Sequence, residues 1–216
     1  MGTINKMKQL ILTSTILFTA LNTNAQTENK TAETIKSVFA VELDPIVPIV
    51  LNGIGGHLMW QPKKSYHFVY GIAFIALGKM PDFMINLNSK NSDKGWNYRI
   101  NQGMGIEAEY YYKKANFGLF TGIQLFTQEI NITNDNVPSV TEHRTNTGMG
   151  VITTGYKLYL FKKKHFYLKP WAGIAYSGIM RGAFSSKIIH NTIVGNYEYD
   201  IQKFFPFATV HIGYKF

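Results

Sequence analysis

The chain has 216 residues, 22 Lys and Arg against 13 Asp and Glu, and a formal net charge of +9. That length suits one domain of ordinary size. The absence of cysteine excludes disulfides, thiolate metal ligands, a cysteine nucleophile and a lipid-modified N-terminal cysteine.

From the start of the chain, Lys6 and Lys8 precede an apolar run over residues 10–21. This run is too short to cross a bilayer, which takes about 20 residues. Asn22-Thr23-Asn24-Ala25 follows, so the pattern predicts a secretory signal peptide over 1–25, cleaved after Ala25. Its removal takes two lysines and no acid, and the charge falls from +9 to +7. Residues 26–36 are polar and aperiodic and are expected to form a short lead-in. No later stretch approaches 18 unbroken apolar residues, so a helical membrane protein is not expected.

Residues 37–216 show no helical period and are expected to be one all-β domain. Eight strands are predicted, over 37–44, 54–61, 66–77, 99–113, 116–130, 146–161, 165–180 and 204–216. Residues 37–61 also read as one bent strand, which would leave seven. Three connections are short and basic, over 62–65, 113–116 and 162–164. The others are longer, over 45–53, 78–98, 131–145 and 181–203. Short and long alternate strictly.

Alternation also sorts the faces. Phe68, Tyr70, Ile72 and Phe74 share one face of the third strand. Ile100, Met104, Ile106, Ala108, Tyr110 and Tyr112 do so on the fourth, Phe117, Leu119, Ile123 and Leu125 on the fifth, and Ile152, Tyr156, Leu158 and Leu160 on the sixth. Arg99, Glu107, Glu109, Gln124, Lys157, Lys169 and His211 fall on the opposite faces. Aromatics gather at the strand ends. Tyr110, Tyr111, Tyr112, Phe161, Phe166 and Tyr167 lie beside the short turns, and Trp96, Tyr98, Phe126, Phe204 and Phe205 near the long loops. Pro170 cannot donate to a ladder and is expected at a bulge.

The last stretch ends Val210-His211-Ile212-Gly213-Tyr214-Lys215-Phe216, with Val210, Ile212, Tyr214 and Phe216 on one face. This resembles the C-terminal strand of outer-membrane β-barrel proteins, in which the last residue is aromatic and alternate residues before it are apolar. With the signal peptide and the turn asymmetry, the chain as a whole resembles the small outer-membrane β-barrels of Gram-negative bacteria. The resemblance implies a single antiparallel eight-stranded transmembrane barrel with short periplasmic turns and longer extracellular loops. It implies outer-membrane lipid, lipopolysaccharide and the barrel assembly machinery as partners, with Phe216, Tyr214, Ile212 and Val210 as the assembly signal. The apolar faces would meet lipid, and the strand-end aromatics would form two interfacial girdles. The charged set would point into the lumen, because Arg or Lys facing hydrocarbon near the midplane costs about 2–4 kcal/mol. Glu107 and Glu109 are expected to pair there with some of Arg99, Lys157 and Lys169, with His211 on the same face. Lys63, Lys64, Lys113, Lys114, Lys162, Lys163 and Lys164 are expected on the periplasmic side, and the protein is expected to be a monomer.

Little in the chain points to catalysis. The histidines His57, His67, His143, His165, His190 and His211 belong to no recognisable Ser/His/Asp arrangement, and Ser185-Ser186 near His190 is a common loop composition. No two histidines stand at i, i+2 on a strand, so no metal site is expected. Glu107 and Glu109 suit acid–base work, but structural ion pairing is the favoured reading. Gly53-Ile54-Gly55-Gly56 lacks the Lys-Ser/Thr of a phosphate loop, and no cofactor is expected. No nucleic-acid motif is present. An eight-stranded barrel encloses side chains or one small ligand. The expected role is therefore structural or surface interaction, with a carrier or narrow channel for a small apolar molecule as the alternative and a lipid-modifying enzyme third. Residues 45–53 hold the candidate ligand-contacting residues Ile46, Val47, Ile49, Val50 and Leu51. Among the barrel mouth, lipid and a ligand, the mouth is the favoured place for them.

Overall fold

The computed structural model describes residues 36–137, 142–180 and 188–216. The expected signal peptide over 1–25, its cleavage site and the lead-in up to residue 35 lie outside the described residues, as do Ser185 and Ser186. Seven strands form an antiparallel meander: β1 (Val38–Leu43), β2 (Gly53–Gln61), β3 (Phe68–Lys79), β4 (Trp96–Tyr111), β5 (Gly118–Asn134), β6 (His143–Tyr159) and β7 (Phe166–Met180). The next long connection carries β8 (Ile188–Ile189), which adds to β7, and a hairpin of β9 (Asn191–Val194) and β10 (Tyr197–Asp200). Then β11 (Phe204–Lys215) pairs with β7 on one side and β1 on the other. That double pairing closes an eight-stranded antiparallel barrel.

Residues 37–61 form two strands rather than one. Between them lies a one-turn helix, α1 (Ile46–Val50), and a second, α2 (Asp82–Ile85), follows β3. Neither is long enough to show a 3.6-residue period, which is why the sequence reads as strand and loop only. Pro45 and Pro48 fit α1 because a helix start leaves its first N–H groups unbonded. Asp44 Oδ1 accepts the Ile46 N–H at 2.9 Å, and the same carboxylate accepts the Thr209 hydroxyl. The helix thus turns its Val47 inward, where it is buried, while Ile49 stays 80% exposed. Leu51 packs partly buried against the same interior, and Ile46 and Val50 lie outside. Val47→Asp should therefore weaken folding by about 2–4 kcal/mol, because it buries an unpaired carboxylate. Ile49→Asp should change it by no more than about 0.5 kcal/mol. Urea unfolding of the two variants checks this, and a larger loss for Ile49→Asp would reverse the orientation of α1.

Two further expectations are corrected. Ile100 is buried, although Met104 and Ile106 on the same strand are exposed. The register slips by one residue between Ile100 and Gln102, and this bulge swaps the faces beyond it. The same slip sends Arg99 to the outside. Pro170 sits at no bulge. The β6–β7 register is continuous across it, and the ladder is merely interrupted opposite Tyr156 and Lys157.

Every strand sends one apolar side chain after another outward. Phe39, Leu58, Ile72, Ile106, Ile123, Ile152, Ile174 and Ile212, one from each barrel strand, are 46–67% exposed. The interior is layered. Nearest the short turns lie Met59, Val69, Tyr111, Phe120, Tyr167 and Trp171. Tyr111 and Tyr167, expected in an outer girdle, are fully buried here. Toward the long loops the lumen is plugged by Leu77, Ile100, Ile130, Ile132 and Ile179 from the strands. Val47, Ile85, Val194, Tyr199 and Ile201 descend on them from the loops. Trp96 and Tyr98 also belong to this plug, Tyr98 at its edge. Trp96 meets Tyr199 edge-on at 5.1 Å.

Candidate functional site

Between the two apolar layers lies a polar one, built at the next inward positions of the same strands. Glu42 of β1 is its centre. Its Oε1 accepts the Tyr167 hydroxyl at 2.8 Å and lies 3.8 Å from Lys157 Nζ. Its Oε2 contacts Lys169 Nζ and accepts from His211 Nδ1 at 3.0 Å. Lys169 continues to Glu109 Oε1 at 2.7 Å, and Glu109 Oε2 accepts the Tyr111 hydroxyl at 2.8 Å. Lys157 donates to Asn116 Oδ1 at 2.7 Å and lies 3.8 Å from the centre of the Tyr167 ring.

A second arm joins His57 and Glu107. His57 Nδ1 lies 2.5 Å from Glu107 Oε1, and Gln124 donates to Glu107 Oε2 at 2.9 Å. The His57 and His211 rings lie 4.4 Å apart. On His211, Nε2 accepts from the Trp171 indole N–H at 3.0 Å. An indole only donates, so His211 carries its proton on Nδ1 and gives it to Glu42. Three carboxylates thus meet two ammonium groups, with His57 set against the third carboxylate. Glu42, Lys157, Lys169 and His211 are at most 1% exposed.

Seven of the eight barrel strands supply a side chain to this layer. The remaining one, β3, supplies space. A Cβ on Gly71 would lie 2.6 Å from Glu107 Oε1.

Of the residues singled out in the sequence, Glu107, Glu109, Lys157, Lys169 and His211 are brought together. Arg99 is not. It lies outside, bonded to Glu142 at 2.9 Å, and Glu142 also holds Arg144. Glu42, His57, Tyr111, Tyr167, Asn116 and Trp171 were missed. Glu42 carries one signal, as the lone acid in the otherwise apolar run Val38–Leu43.

Glu42, His57 and His211 offer ligand atoms within 4.8 Å of one another, a possible metal-binding group drawn from three strands. Same-strand spacing could not reveal it. Glu42 is already committed to Lys169, His57 Nδ1 to Glu107, and His211 Nε2 to the Trp171 N–H. A metal ion there would have to displace the Lys169 ammonium. Two open grooves, of about 220 and 560 Å³, lie at the long-loop end, and neither touches the polar layer.

The long-loop end is fastened separately. Asn88, Lys90 and Asn91 all bind Asp200, joining the 80–95 loop to the β9–β10 hairpin. Burial raises the Asp200 carboxyl, but hydrogen bonds from Asn88 and Lys90 outweigh it and hold the group below the usual carboxylate range.

The closed barrel with a filled, charge-paired lumen defines the class of protein. No known protein family matches the chain, and no curated protein matches it. Among solved structures it is similar to the N-terminal β-barrel domain of Pseudomonas aeruginosa OprF. The identity is 15% and the TM-score 0.48, over 85% of this chain and 100% of that one.

Proposed function

We propose that the chain is a small outer-membrane β-barrel with a structural or surface-presenting role. The observation that carries this reading is the inversion of polarity. Large aliphatic and aromatic side chains ring the outside on all eight strands, and Glu42, Glu107, Glu109, Lys157 and Lys169 are buried inside. In water, each large aliphatic left out would forfeit about 1.5–3 kcal/mol of burial. Against hydrocarbon the same surface is satisfied. On this reading the short turns face the periplasm, the long loops face outward, and Phe216, Tyr214, Ile212 and Val210 form the assembly signal. Lipid, lipopolysaccharide and the assembly machinery are then its partners.

The charge-paired layer and the apolar plug together favour a closed lumen over a conducting one, and the buried carboxylates are engaged by Lys169, His57 and Tyr111. Membrane fractionation and N-terminal sequencing of the mature protein test the reading. Recovery in the outer-membrane fraction, beginning at Gln26, is expected. Recovery free in the periplasm would overturn it. Reconstituted into a planar bilayer, the protein should give no steady single-channel current.

A further inference from the structure

The two ends of the barrel differ in charge. The three short connections, 62–67, 112–117 and 160–165, hold seven lysines and no Asp or Glu. At the long-loop end four of the cations are paired with acids: Lys79 with Asp82, Lys90 with Asp200, and Arg99 and Arg144 with Glu142. Lys63, Lys64, Lys113, Lys162, Lys163 and Lys164 are exposed. Among the described residues none of these six has a carboxylate within ion-pair reach.

Backbone conformation adds a second observation. Lys64 and Lys164 have φ of 71° and 53°. Glycine adopts this left-handed region freely and a lysine does so at a cost. The turns keep an ammonium where the backbone favours glycine.

Placement decides the partner. The lysines are not one patch but recur at every short turn around the rim. Directly inward of them stand exposed aromatics, Tyr110, Tyr112, Phe117, Phe161 and Phe166. A partner protein would dock on one side. A lipid leaflet touches the whole circumference, with acyl chains on the aromatics and headgroups at the level of the turns. We infer that the lysine rim binds the headgroups of anionic glycerophospholipids in the leaflet at the short-turn end and selects them over zwitterionic ones. The inference rests on the membrane reading above and goes beyond it by naming the lipid class and the residues.

The protein supplies its own reporter. Of its three tryptophans, Trp96 and Trp171 are buried in the lumen, and Trp60 is exposed on the outer face one residue before the β2 end. The full chain would be refolded into vesicles containing brominated phosphatidylglycerol or brominated phosphatidylcholine, and quenching of Trp60 measured. A severalfold preference for phosphatidylglycerol is expected at low salt, falling toward unity near 0.5 M salt as the charges are screened. Replacing the six exposed lysines with glutamine should abolish the preference. If that variant does not fold, Lys64→Gly with Lys164→Gly suits the backbone and should reduce the preference without loss of stability. Equal quenching by the two lipids, or a preference unchanged in the variants, would overturn the inference. Quenching by neither lipid would overturn the membrane reading along with it.

Discussion

Glu42→Gln should destabilise the barrel by about 3–5 kcal/mol, the usual cost of stranding the partner of a buried ion pair. Glutamine keeps the shape of the side chain and removes its charge. Lys169 then keeps only Glu109, Lys157 loses the carboxylate 3.8 Å away, and Tyr167 and His211 lose an ionic acceptor. The loss should appear as a lower urea midpoint in detergent micelles. Adding Lys157→Met should recover part of it, because Glu42 is the carboxylate within ion-pair reach of Lys157 and the second change removes the charge left alone. Glu142→Gln is the control. Its two arginine partners are exposed and screened by water, so its loss should leave the midpoint almost where it was. A Glu42→Gln midpoint equal to that of the control would mean that water reaches the layer and that the lumen is not sealed by pairing.

Gly213→Ala should cost a similar amount for a steric reason. Gly213 of β11 pairs with Glu42 on one side and Tyr167 on the other, at the seam where the barrel closes. A Cβ there would lie 2.1 Å from Tyr167 Cζ and 2.5 Å from its hydroxyl oxygen. The ring is fully buried, with Lys157 on its face and Tyr159 at 5.7 Å, so it has no free space to enter. Overpacking alone costs about 1–3 kcal/mol. Moving the ring also breaks its bond to Glu42, and hydrogen bonds to charged groups are worth about 1.5–3 kcal/mol. The thermal unfolding midpoint of the barrel should therefore fall. In a Tyr167→Leu background the same glycine substitution should cost much less. An undiminished cost there would show that the clash is with the backbone and not with the ring.

The sequence is legible wherever a local rule applies. Two-residue alternation separated Ile72, Ile106 and Ile152 from Glu107, Glu109 and Lys157, because successive side chains on a strand point to opposite faces. It failed at Arg99 and Ile100, where a one-residue bulge reverses the faces without a mark in composition. It failed for Tyr111 and Tyr167 for a different reason. Each stands beside an outward aromatic, so adjacency alone points to a girdle although the parity of the two neighbours differs. The two one-turn helices were illegible because a single turn has no period to detect.

By itself the sequence left seven or eight strands open, but it determined the alternation of short and long connections, the basic character of the short turns and most of the outward apolar faces. All of these arise from residues within a few positions of one another. Only the tertiary structure decided which charges meet. Glu42 and His211 stand 169 residues apart, and Glu42 and Tyr167 stand 125 apart. They touch because β11 closes against both β1 and β7. Parity tells that a side chain faces the lumen. The register of the closing strands sets its height there, and with it its partner.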